Sequence, residues 1–200
     1  MIDINNVEYK DIMKRILLLI CFLSVIAMSV SAQGLAIKTN LLYDATTTFN
    51  LGGELGLSQK WTMDVSGNLN PWTFSNDKKI KHWLVQPEIR YWLCEKFNGQ
   101  FVGIHLMGGE FDVANIKLPF GIIPSLEDHR YEGWFAGLGF VYGYQWILSK
   151  HWNLEGALGA GYDYIDFDKY RCGKCGSKLE SGHTNYFGIT KLDLSLVYLF

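Results

Sequence analysis

The strongest constraint on this chain is an alternation of apolar and polar residues with period two, repeated along its length and carried to the last residue. The alternating stretches are 34–44, 48–58, 61–70, 82–93, 100–109, 133–148, 153–165 and 185–200. In the stretch 133–148, Trp134, Ala136, Leu138, Phe140, Tyr142, Tyr144 and Trp146 oppose Phe135, Gly137, Gly139, Val141, Gly143 and Gln145. A side chain on every second position points to the same face of a strand, so each stretch reads as a two-faced strand. Most are about 10 residues long, where strands of globular proteins average about 5–6 and tilted membrane-spanning strands need about 9–11. The expectation is an all-β fold: an eight-stranded antiparallel up-and-down transmembrane β-barrel.

Connection lengths support the same reading. The expected connections 45–47, 59–60, 94–99 and 149–152 are short, whereas 71–81, 110–132 and 166–184 are long. Short turns on one side and long loops on the other are the layout of outer-membrane barrels. An even strand number then puts both termini on the periplasmic side.

The two faces differ in chemistry. One carries aliphatic residues such as Leu51, Val65, Leu138, Leu158 and Leu194. These are flanked by aromatics, Trp61, Tyr91, Trp146, Tyr198 and Phe200 toward the turns, and Tyr43, Phe49, Trp83, Trp134, Tyr162, Tyr164 and Tyr186 toward the loops. Two aromatic girdles around an aliphatic band match the two interfaces of a bilayer. The other face collects Lys38, Glu54, Asp64, Glu88, Arg90, Glu155, Lys191 and Asp193, with His105 and Asp163. Inside a barrel these form an expected lumen charge network of both signs, since buried charges must be paired. Eight strands enclose a space that side chains fill, which argues against an open channel.

Composition removes other classes. Aromatics make up 15% of the 200 residues and charged residues 19%, against a usual ~25%, so the chain is not disordered. With 18 basic and 20 acidic residues it has no electrostatic footprint for nucleic acid. Residues 1–32 read as an address: Met13-Lys14-Arg15, an apolar run from Ile16 to Met28, and Ser29-Val30-Ser31-Ala32 form a secretory signal pattern, with cleavage expected between Ala32 and Gln33. Met13 is the expected true start, residues 1–12 an upstream extension, and 33–200 the barrel domain. The apolar run is short of the ~20 residues of a spanning helix. Ile20 stands before Cys21, where lipoprotein processing needs a small residue.

Few residues suggest chemistry. Cys172-Gly173-Lys174-Cys175-Gly176 with His183 nearby is half of a zinc-type ligand set, and zinc takes four ligands. Three readings of Cys172 and Cys175 stay open: a local disulfide, in keeping with an oxidising compartment; a metal half-site with His183; and reduced thiols. Cys94 falls on a turn at the opposite end of the expected barrel. His82, His129 and His183 gather on the loop side with Ser125, Asp128 and Asp166, but no spacing marks a nucleophile and its base. No cofactor is expected.

Several runs together carry a family resemblance: Ala36-Ile37-Lys38-Thr39-Asn40-Leu41-Leu42-Tyr43-Asp44-Ala45, the Cys172–Gly176 loop, Asn185-Tyr186-Phe187-Gly188 and the ending Ser195-Leu196-Val197-Tyr198-Leu199-Phe200. The mature chain resembles a family of uncharacterised Gram-negative outer-membrane β-barrels defined by a domain of unknown function. The resemblance implies the cell outer membrane and a surface-fibre or periplasmic protein partner. The terminal Phe200 resembles the signal read by the barrel assembly machinery. The expected role is a structural, anchoring or interaction protein acting through its extracellular loops. A lipid-modifying enzyme and a soluble exported barrel around an apolar ligand are the alternatives.

Overall fold

The computed structural model describes residues 34–73, 79–114, 129–171 and 176–200. Eight antiparallel strands close into a barrel in chain order. They are β1 (Leu35–Asn40), β2 (Phe49–Gly56), β3 (Trp61–Asn70), β4 (Lys79–Trp92), β5 (Gly99–Ala114), β6 (Arg130–Ile147), β7 (Trp152–Tyr170) and β8 (Lys178–Leu199), with a short helix α1 (Leu41–Ala45) after β1. Closure joins β1 to β8 through the register Ala36–Leu199 to Asn40–Ser195. Near that seam the Phe200 amide donates to the Leu35 carbonyl at 3.1 Å, so both ends of the barrel lie on the short-turn side.

Strand length climbs steadily around the barrel. It runs 6, 8, 10 and 14 residues for β1 to β4, then 16, 18, 19 and 22 for β5 to β8. The wall is therefore low at β1–β3 and high at β6–β8. This corrects the expected loop boundaries. Much of 166–184 is strand, because β7 runs to Tyr170 and β8 begins at Lys178; 110–132 likewise gives residues to β5 and β6. Alternation fades there because both faces of a projecting sheet meet water, and no burial contrast marks the pleat.

The expected first strand is also shortened. It stops at Asn40, whose side chain accepts from the Leu42 amide and caps α1. Asparagine is a favoured N-cap because its short side chain reaches the free amides of the first turn. Apolar Leu41 and polar-tipped Tyr43 keep up the alternation across this helix, which is why it reads as strand.

The turn-side end of the interior is closed by apolar packing. Ala36, Trp92, Phe97, Phe101, Val141, Ala157 and Val197 form the buried cluster. Trp92 meets Phe101 at 4.8 Å and Phe97 at 6.0 Å between ring centroids. Phe97 holds a left-handed φ of 63°, a conformation that costs a non-glycine residue roughly 1–2 kcal/mol. The buried ring, turned onto Trp92, offsets that strain.

Candidate functional site

The middle of the barrel is filled by charge. Arg90 on β4 is fully buried and is the hub. Its Nε donates to Glu88 at 2.6 Å, and its Nη1 to Glu54 at 2.8 Å and Glu155 at 2.9 Å. Asp64 lies 3.4 Å from Nη2. Lys38 reaches Glu54 at 2.9 Å, Asp64 at 3.1 Å and Glu155 at 3.3 Å. Lys191 donates to Glu88 at 2.6 Å. Asp193 is buried too, but its hydrogen-bond partner is the Ser195 hydroxyl rather than a cation. Thr62 donates to Glu54 at 2.6 Å and accepts from the Trp92 indole at 2.9 Å, tying the ionic layer to the apolar plug below it. The Arg90 guanidinium also lies 4.4 Å from the Phe101 ring centroid.

Neighbouring strands bring these side chains together by register. Glu54, Asp64 and Glu88 are cross-strand partners in a row, as are Thr62 and Arg90. Carboxylates opposite one another would repel, so the guanidinium and two ammonium groups between them are what permit the row. Small residues leave the room. A Cβ on Gly52 would lie 2.7 Å from the Lys38 chain, and one on Gly143 would lie 2.3 Å from the Phe101 ring. A cavity of about 20 Å³ remains beside Lys38, Asn40, Tyr43, Gln86 and Lys191, which is the space of about one water. The lumen therefore has no continuous passage at this level.

Above the ionic layer, His105 Nε2 and Thr190 Oγ1 are 2.9 Å apart. They resemble a base and a nucleophile, but the imidazole is fully buried and Gly139 and Gly159 close against it. His183 lies on the outer face of β8, stacked on Tyr164 at 5.7 Å and opposite Asp166 in the register. Its sequence neighbours Cys172 and Cys175 lie outside the described residues, as do Ser125 and Asp128. Among the described residues no group of three His, Cys, Asp or Glu is placed to hold a metal ion. Cys94 is free and exposed on the turn after β4.

The outer face is apolar around the barrel. Leu51, Val65, Ile89, Ile104, Leu138, Leu158 and Leu194 are all exposed. Aromatics flank them: Trp61 packs on Tyr91 at 5.1 Å and Trp152 on Tyr198 at 5.0 Å toward the turns, and Trp134 packs on Tyr164 at 5.6 Å toward the loops. Two residues leave the expected girdle. Tyr43 lines the interior cavity from α1. Tyr186 changes face because β8 carries one extra residue at Thr190: Lys191 opposes Gly159, but Ile189 opposes Ala160. Phe187, beside Tyr162 at 5.0 Å, and Ile189 take the outward positions instead. The signal was present in the sequence, where the outward spacing from Ile189 to Leu192 is three residues rather than two.

The high wall has its own polar chemistry. Arg130 is bidentate to Asp112 at 2.6 and 3.0 Å and also reaches Glu132 at 2.6 Å. Donating these hydrogen bonds to the Asp112 carboxylate holds the guanidinium's pKa above its ordinary value. Lys178 pairs with Asp168 at 2.7 Å across β7 and β8.

With this geometry in hand, comparison with known proteins gives one match. A model described as protein of unknown function (DUF3575) covers residues 17–200. The chain belongs to that family. No curated protein and no solved structure matches it.

Proposed function

We propose that this protein is a small outer-membrane β-barrel that anchors its loop-side rim at the cell surface and acts there by binding a partner. The observation that carries the reading is the inversion of the barrel: a closed belt of exposed aliphatic and aromatic side chains surrounds a buried layer of Lys38, Arg90, Lys191 and their carboxylates. A water-soluble barrel gains by placing apolar side chains inside, whereas a bilayer rewards the reverse arrangement. Transfer of the belt's apolar surface from water to lipid gives roughly 25 cal/mol per Å2. Among the described residues the interior is filled by the paired layer around Arg90, which supports display and attachment through the rim rather than passage through the lumen. In this orientation the short turns and both termini face the periplasm, Phe200 presents the C-terminal aromatic to the assembly machinery, and the high wall stands outside the cell.

Fractionation of expressing cells, with gel mobility before and after boiling, tests the reading. The expected result is an outer-membrane band whose mobility changes on heating. Recovery in the soluble periplasmic fraction with heat-independent mobility would overturn it.

A further inference from the structure

β8 has an unfinished edge. On one side it pairs with β7 from Trp152–Tyr198 up to Tyr170–Lys178. On the other, β1 covers only Ser195 to Leu199. Just above, the Asn40 side chain takes over the ladder, donating to the Leu192 carbonyl at 3.1 Å and accepting from the Leu194 amide at 3.5 Å. α1 packs beside β8 at that level, with Leu41 and Leu42 exposed to the outside. Beyond it, residues 178–191 have no described strand on this side.

The bilayer explains where the covering stops. A strand crosses with about 9–11 residues. Counted from Tyr198 at the turn-side girdle, β8 leaves the hydrocarbon near Gly188. Unpaired amides and carbonyls are not tolerated facing lipid, so Asn40 and α1 cover the edge within the bilayer. Above Gly188 the edge stands in water, and no described strand pairs with it.

The exposed edge lacks the usual protection. Strand edges are commonly guarded by charge, proline or very short length. Ser181 to Ile189 contains no Asp, Glu, Lys, Arg or Pro. Phe187 at its outer face is 80% exposed. We infer that residues 181–189 of β8 are a strand-addition site, taking an extended, uncharged segment of a partner protein that pairs with this edge and lays an apolar side chain against Phe187. The inference rests on the membrane reading above, which sets where the edge emerges.

A second copy of this chain does not fit. Antiparallel pairing of β8 with itself is related by a two-fold axis normal to the sheet, and that axis would turn the second barrel upside down in the membrane. A two-fold along the strands keeps both barrels upright, but sets the edge amides of the two strands at equal heights, which a parallel ladder does not use. The occupant is therefore a free extended segment, recognised by main-chain hydrogen bonds and by alternate side chains.

The test uses the purified full chain in detergent micelles and a capped nonapeptide of alternating Thr and Val. Hydrogen exchange is followed at single amides. Without peptide, alternate amides within 181–189 should exchange at least about 100-fold faster than their neighbours, which donate to β7. Excess peptide should slow the fast set about 10-fold or more. The same peptide N-methylated along its pairing edge should leave them fast. Uniformly slow amides before any addition would overturn the inference, as would no slowing by the first peptide, or equal slowing by both. Gel mobility of the same sample, boiled and unboiled, reports on the barrel separately. A heat-modifiable protein with an inert edge loses only the strand-addition site.

Discussion

The low wall and the high wall of this barrel solve opposite problems with the same residue types. In the lower barrel, charges from β1 to β4 and from Glu155 of β7 and Lys191 of β8 point inward, are buried and survive by dense pairing around Arg90. On the high wall above the apolar belt, Arg130 pairs with Asp112 across β5 and β6 and with Glu132 along β6, and Lys178 pairs with Asp168 across β7 and β8, all still in contact with solvent. The difference is one of dielectric. Removing one partner of a buried network strands the rest, whereas a solvated pair is replaced by water at little cost.

That comparison is most easily broken at its two arginines. Arg90→Ala leaves Glu54, Glu88 and Glu155 without their shared counterion and is expected to cost about 3–5 kcal/mol, enough to prevent stable assembly or lower the urea midpoint sharply. Arg130→Ala removes the pairs to Asp112 and Glu132 and is expected to cost about 1 kcal/mol or less, because both are partly solvated. Urea titration of the two variants refolded into the same micelles measures both. Equal losses would show that the two walls are not in different environments.

The outer faces give the next contrast. Leu158 lies near the middle of the apolar belt on β7, and Phe187 lies on the projecting part of β8; both are exposed. Leu158→Arg is expected to destabilise the bilayer-inserted protein by about 2–4 kcal/mol, and Phe187→Arg by about 0–1 kcal/mol. Refolding yields in lipid vesicles would show the order. A penalty at Phe187 as large as that at Leu158 would move the bilayer boundary upward and bury the free edge of β8.

Glycines sharpen the picture of a filled lumen. A methyl group at Gly143 meets the Phe101 ring and Ala157, so Gly143→Ala should cost about 1–3 kcal/mol through overpacking. Gly67 has open space on its Cβ side, and Gly67→Ala should be neutral or slightly stabilising. Urea midpoints distinguish the two.

The same dielectric contrast sets how much could be read from sequence. Where an apolar belt forms one face and a packed interior the other, every second residue is apolar, as from Trp134 to Trp146, and strand and face are both legible. Where water bounds both faces, as from Lys178 to Thr184, the pattern lapses and the strand reads as loop. The interior charges were legible as a set because they fall on the polar phase, but which carboxylate meets which cation depends on register and was not. Asp193 shows the limit: phase places it inside, yet its partner is Ser195. α1 was hidden by Leu41 and Tyr43, which keep the alternation going through a turn that Asn40 caps. The Thr190 bulge was legible in principle, because a single extra residue shifts the phase of everything before it.

The smallest expected effect lies at the tip of the high wall. Lys178 and Ser181 donate to the Asp168 carboxylate and hold its pKa below the usual range, while the same contact holds the Lys178 ammonium above its own. The signs follow from which state binds protons. The Asp168 contribution is complete above the unfolded carboxyl value of about 3.9 and is lost as pH falls through the lower folded value. The Lys178 contribution is complete below its unfolded value of about 10.4 and is lost as pH rises through the higher folded one. Local opening of the β7–β8 tip, read by hydrogen exchange after correction for intrinsic rates, should therefore be flat between about pH 5 and pH 9 and rise outside that window. Asp168→Asn should abolish the rise on the acid side while leaving the urea midpoint unchanged, because the pair is fully solvated and far from the Arg90 network. A change in global stability in that variant would mean that the high wall and the ionic core are coupled, against the separation argued here.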